Sequence, residues 1–263
     1  MRKDEIAGDA VPGPPAEGAR RRGGARAASG RRRSSHSMEA VVAEAVALLD
    51  EAGEPGLTFR ALAARLGGGV GSIYWYVSSK DELLERAADH VLADVVTRTA
   101  HLGAGEDPVA ALRELAVAFY AATVDRPWLG AYFLQDTGTQ VNGLTLYDRM
   151  GQQLMRLDLT PRQRFDGVAA IMAYVVGVAA DRGQDPPPEV RDGRVERDEF
   201  VATFRAGLLE LDEGDFPFLH HVAHEFAAHD DAEQFRAGLD LLLAGIRLQA
   251  AAPPPGSPAA GRG

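Results

Sequence analysis

Apolar side chains recur three and four positions apart along nearly the whole stretch from residue 38 to residue 250, the period of a helix that buries one face. Val41, Val42, Ala45, Leu48 and Leu49 make the first such stripe. Ser37 stands before it as an N-cap, Glu39 lies in its first turn, and Gly53 to Gly56 close it. The pattern predicts further helices over 81–99, 108–125, 128–135, 144–157, 161–182, 197–211, 217–227 and 232–249, with a proline-rich loop over 183–193. No run alternates apolar and polar positions with β-branched enrichment, so no sheet is expected. The fold class read from the pattern is all-α, without an internal repeat.

Residues 57–77 break the rhythm of long helices. Thr58 is placed to cap a short helix whose Phe59, Leu62, Ala63 and Leu66 share a face. Gly67 ends it, because only glycine adopts the left-handed conformation there cheaply. Ser72 opens a second short helix in which Ile73 and Val77 face inward. Two short helices joined by a tight glycine turn are the helix-turn-helix arrangement, whose second helix lies in the major groove with its first residues near base edges. The domains that follow are a three-helix DNA-binding domain over 37–82 and a larger helical domain over 83–250.

The two ends differ from the middle. Residues 1–36 are rich in Gly, Pro, Ala and Arg and have almost no large apolar side chains, so they are expected to be disordered. Residues 251–263 read as a second, proline-rich disordered tail. The net charge of −10 argues at first sight against a nucleic-acid partner. Its distribution changes that picture: residues 1–36 hold nine Arg/Lys against four Asp/Glu, a balance of +5, which leaves −15 on the remainder. The arginines of that tail either track phosphates or belong to a solubilising extension without a partner, the plainer of the two readings. Residues 37–82 carry seven acidic groups against three basic ones, so the folded head offers DNA little positive field. Zero cysteines exclude thiol catalysis, disulfides and cysteine-based zinc sites. No apolar run is long enough to span a bilayer and no secretory signal is evident, which points to the cytoplasm and to no membrane partner.

Three adjacent aromatics, Tyr74, Trp75 and Tyr76, taken alone belong in a core; directly after a glycine turn they read as a DNA-facing group. Here the chain resembles the TetR family of regulators. The resemblance is carried by Gly56-Leu57-Thr58, by Leu62-Ala63-Ala64-Arg65-Leu66-Gly67, and by Ser72-Ile73-Tyr74-Trp75-Tyr76-Val77 followed by Lys80-Asp81-Glu82-Leu83-Leu84. It implies that Val70, Gly71 and Ser72 approach bases and that Tyr74, Trp75 and Tyr76 meet phosphate, sugar or thymine methyl. It also implies that Thr58, Arg60 and Lys80 belong to the DNA-binding surface, the last two as phosphate contacts. Chemistry agrees: a phenol donates to a phosphate oxygen, and backbone N–H groups at helix starts favour anions. Lys80 is one of only two lysines in the chain. The glycines at 67–69 and 71 leave few side chains to read bases.

The resemblance continues through Arg126-Pro127-Trp128-Leu129, Tyr174-Val175-Val176-Gly177 and residues 235–246, nearer to the tetracycline-repressor branch than to others. It implies an effector held between helices, which points to Phe119, Trp128, Phe133, Tyr147, Met150, Leu154, Met172 and Phe204 as pocket residues. The bland reading of each is a filled core. Positions matching the drug- and magnesium-contacting polar residues of that branch are Val96, Leu115 and Phe133 here, so the expected effector is small and largely apolar, not a tetracycline–magnesium chelate. Gly238, Leu242 and Gly245 share one face of the last helix and are the expected dimer contacts, with 166–180 or 197–211 as the partner helix. No cofactor is expected, and no metal. His220 and His224 have a metal-compatible spacing, but no third ligand accompanies them. There is no phosphate loop, nucleophile elbow or paired acid and base, so an enzyme is not expected. The reading is a homodimeric repressor released from a pseudo-palindromic operator in double-stranded DNA by a small molecule. Its alternatives are an activator of the same fold and an α-helical small-molecule-binding protein without operator function.

Overall fold

A computed structural model describes residues 36–103, 105–135, 140–184, 186–228 and 230–251. The chain divides into two units, Met1–Ser34 and Ser35–Gly263, and every described residue lies in the second. The expectations for residues 1–35 and 252–263 of the two tails fall outside the described residues. Among the described residues the regular structure is helical throughout, in line with the sequence pattern.

Helix α1 (Met38–Gly56) starts where Ser37 accepts the Ala40 N–H and kinks at Gly53, whose φ of 62° interrupts the helical backbone. Then come α2 (Phe59–Arg65), the four-residue α3 (Val70–Ile73) and the long α4 (Lys80–Arg98). The boundary expected at residues 82 and 83 falls in the first turn of α4, and that helix carries one apolar core from the small N-terminal helices into the rest of the molecule. Leu83, Ala87, Val91 and Val95 are its buried stripe. Helices α5 (Pro108–Val124), α6 (Pro127–Gln135), α7 (Val141–Met155) and α8 (Pro161–Arg182) complete the body. The last helix, α13 (Asp231–Ala251), lays Phe235, Leu239, Leu243 and Ile246 onto α5 and α8.

Between α8 and α13 run four short elements: α9 (Pro188–Arg191), α10 (Arg197–Leu209), α11 (Pro217–Val222) and α12 (Glu225–Ala228). The structure departs from the sequence pattern here. Part of the expected loop is a one-turn helix, because Pro188 presets its first dihedral and Gly193, at φ 67°, closes it. The single helix expected over 217–227 is two, parted at Ala223, which turns inward and is fully buried. Helix α7 begins three residues earlier than its apolar stripe suggests. Asp89 of α4 accepts the Asn142 backbone N–H at 2.8 Å and its side-chain amide at 2.9 Å, so a cap supplied from a distant helix fixes the first turn.

Gly238, read above as a dimer contact, has a close neighbour inside its own chain. A Cβ built there would stand 2.1 Å from Tyr174 Oη and 2.6 Å from its Cζ. Tyr174 cannot easily withdraw, because its ring stacks on Phe235, itself stacked on Tyr120 with centroids 3.7 Å apart. Its hydroxyl also donates to the Phe235 carbonyl. Overpacking costs about 1–3 kcal/mol, and alanine's better helix propensity returns about 1 kcal/mol of that. Gly238→Ala is therefore expected to lower the denaturant midpoint by the equivalent of up to about 2 kcal/mol. An unchanged midpoint would show that Tyr174 yields freely.

Candidate functional site

The reading head is assembled from local caps. Thr58 accepts the Ala61 N–H at 3.1 Å, and Gly67 takes φ 66° as α2 ends. Ile73 and Val77 face inward and are buried, which turns the residues between them outward. Trp75 is 89 % exposed and Tyr74 61 %. Tyr74 is steadied by the edge of Phe59, with centroids 4.9 Å apart. Val70 and Gly71 are exposed at the start of α3, and Ser72 donates its hydroxyl to the Gly69 carbonyl at 2.6 Å. Arg60 is exposed beside them on α2.

Trp75, which taken alone would belong in a core, is instead almost wholly exposed. Tyr76 departs the other way: its ring packs on the core and its hydroxyl donates to the His36 carbonyl. Its one O–H is thus committed within the chain, so it is a support of the head and not a free phosphate donor.

Lys80 opens α4 under tight local control. Ser79 caps the helix by accepting the Glu82 N–H at 3.0 Å. The Glu82 carboxylate reaches back to the backbone N–H and the hydroxyl of Ser78, and also receives Arg86. Together these hold it well below the usual carboxylate range, at about 2. The excess of acids in this region is plain in the sequence, but which acid meets which base is not. Lys80 Nζ lies 3.1 Å from Glu54, and Arg65 pairs with both Glu44 and Glu51. The partners lie 14 to 26 positions apart on different helices, so no short-range pattern announces the pairs.

The expected pocket residues separate into three groups. Phe119, Met150 and Leu154 are fully buried, and Phe133, Tyr147 and Met172 pack half-buried against the same core. Phe133 meets Phe119 edge-on at 5.5 Å. Trp128 and Phe204 are corrections. Trp128 is buried, but its Nε1 donates at 2.7 Å to Asp50, which also pairs with Arg126 at 3.3 Å. It therefore ties α6 to α1. Phe204 is 50 % exposed and meets Phe226, because α10 packs on α11 and α12 and not on the α5–α8 core. A cleft of about 520 Å³ between α8, α10 and α13 is lined by Arg182, Arg197, Arg205 and three aspartates, and holds none of the expected pocket residues.

On α13, Leu242 and Gly245 lie half-exposed, and a Cβ at Gly245 would meet nothing within 4 Å. Leu241 and Leu248, one heptad apart and each about three-quarters exposed, continue an apolar surface that the glycine pair did not reveal. Phe165 on α8 is exposed as well. His220 Nε2 lies 2.8 Å from the Leu211 carbonyl, and among the described residues no group of three His, Asp or Glu side chains is placed to hold a metal. No helix among the described residues is long and apolar enough to cross a membrane.

Comparison with known proteins matches residues 41–87 to the family model "Bacterial regulatory proteins, tetR family" and residues 104–250 to "Tetracyclin repressor-like, C-terminal domain". The chain is 30 % identical over 218 residues to the HTH-type transcriptional repressor DrrR1 of Streptomyces coeruleorubidus, covering 81 % of this chain and 77 % of that one. It is 35 % identical to a transcriptional regulator of solved structure, a TetR from Streptomyces coelicolor, with a TM-score of 0.68 over 82 % of this chain and 99 % of the other. The ActR protein of the same organism, solved in complex with actinorhodin, shares the fold with a TM-score of 0.72 at 23 % identity, over 83 % of this chain and 98 % of that one.

Proposed function

The chain belongs to the tetR family of bacterial regulatory proteins, and on that premise we propose that it is a homodimeric repressor whose hold on operator DNA is released by a small, largely apolar effector. The observation that carries the DNA half is the exposure of Trp75 and Tyr74 directly after the glycine turn. Two adjacent exposed aromatics at the end of the reading helix are a surface that a DNA backbone would cover. In this reading Val70, Gly71 and Ser72 face base edges, and Tyr74, Trp75, Arg60 and Lys80 meet the backbone. Thr58 and Tyr76 hold the head in shape. The name of the DrrR1 relative supports repression over activation.

The dimer surface in this reading is the apolar strip formed by Leu241, Gly245 and Leu248 on α13 with Phe165 on α8. Two copies joined along it present paired heads to a two-fold site. The domains are read as a head over 37–82 and an effector-binding and dimerisation domain over 83–250. The effector enters among Phe119, Phe133, Tyr147, Met150, Leu154 and Met172. Those side chains fill the space between α5, α7 and α8, and α4 packs on the same core. A ligand that displaces them therefore acts on α4 as well, and it shifts operator affinity by its differential affinity for the two arrangements.

The test is a gel-shift with DNA flanking the protein's own gene. A retarded band that an apolar aromatic ligand releases, and tetracycline with magnesium does not, is the expected result. No retarded band with either promoter-proximal fragment would overturn the reading.

A further inference from the structure

The head's cations are not left open for DNA. Of the three basic residues in 37–82, Arg65 is held by Glu44 and Glu51 and Lys80 by Glu54, all three carboxylates belonging to α1. Among the described residues only Arg60 of the three has no carboxylate within ion-pair distance. The Lys80–Glu54 pair is fixed from both sides. Glu54 follows the kink at Gly53, and its carbonyl accepts the Leu57 N–H at 3.1 Å. Lys80 sits in the first turn of a helix capped by Ser79. The 3.1 Å contact thus joins two side chains whose backbones are each anchored.

We propose that Glu54 is a built-in competitor of operator DNA for Lys80 and that it sets the repressor's affinity below what the same head would otherwise reach. The inference rests on Lys80 being a phosphate contact. A phosphate that reaches Nζ either takes the ammonium from Glu54 or sits beside an uncompensated carboxylate, and both routes weaken binding. Exposed pairs of this kind are worth up to about fivefold in an equilibrium constant. A dimer engages two heads, so the effect compounds to about twentyfold at most. It shrinks as salt screens both charges. Such a competitor suits a regulator that a ligand must dislodge, because a head bound less tightly needs a smaller conformational shift to let go.

The experiment measures fluorescence anisotropy of the promoter fragment retarded by the wild-type chain, with full-length wild type, Glu54→Gln, Lys80→Ala and the double variant, each checked for an unchanged melting curve. Glu54→Gln is expected to bind about three- to twentyfold more tightly and Lys80→Ala more weakly. In the Lys80→Ala background, Glu54→Gln is expected to change little, because its effect acts through the lysine. Equal tightening in both backgrounds would reduce Glu54 to a general negative charge and overturn the proposal. So would a Glu54→Gln variant no tighter than wild type while Lys80→Ala still weakens binding; in that outcome the phosphate contact stands and only the competitor falls. Lys80→Ala without effect would remove the phosphate contact and the proposal with it.

Discussion

Alanine at Trp75 is expected to weaken operator binding by about thirtyfold or more, since each contact is worth about 1–3 kcal/mol and a dimer loses two. The melting temperature is expected to stay within about 2 °C of wild type, as for a surface substitution. The two readouts together separate the possible roles of the indole. A tryptophan in a core leaves a void on truncation and costs about 3–5 kcal/mol of stability. At 89 % exposure Trp75 has almost no burial to lose, so stability is the wrong place to look for its effect. Tyr74 calls for a milder substitution, because its ring leans on Phe59 of α2. Tyr74→Phe keeps that edge contact and removes only the hydroxyl, and is expected to lose about 1 kcal/mol of binding per head. Unchanged affinity in Trp75→Ala would move the DNA face away from the α3 turn.

What the sequence disclosed about this head follows from the range of the interactions that build it. The N-cap at Thr58, the left-handed Gly67 and the inward Ile73 and Val77 are contacts between residues a few positions apart, and these leave periodic or positional marks. The all-helical fold follows from the same short-range signals. The acid that meets Lys80 lies 26 positions upstream of it, and the one that meets Trp128 lies 78 positions upstream. No spacing rule links such residues, because what brings them together is the packing of α1 against α4 and α6. Asp89 starting α7 is the same case. Gly238 is a further case: the group that its missing Cβ leaves room for is Tyr174, 64 positions upstream in the same chain. Phe204, expected in the effector pocket, meets Phe226 instead, because its apolar character shows that it favours burial and not which element buries it.

The other large effect is expected inside the effector domain. Phe119→Ala should destabilise the chain by about 3–5 kcal/mol, the range for removing a buried ring. That corresponds to a fall of about 6–20 °C in melting temperature for a chain of this size. Phe119 sits at the middle of α5 with no exposed surface, edge-on to Phe133, and Leu112, Leu115 and Met150 of the same core are equally buried. If this region were already an open chamber, truncating one wall would cost little stability and would chiefly alter effector affinity. The packed arrangement predicts that the ring's removal leaves a dry apolar void of the sort that takes up benzene. Benzene should then raise the melting temperature of the variant by mass action and leave the wild type unmoved. Stabilisation of both proteins alike would show that the wild-type chain already holds an open chamber between α5 and α8, and that an effector can enter without first displacing the core that carries α4.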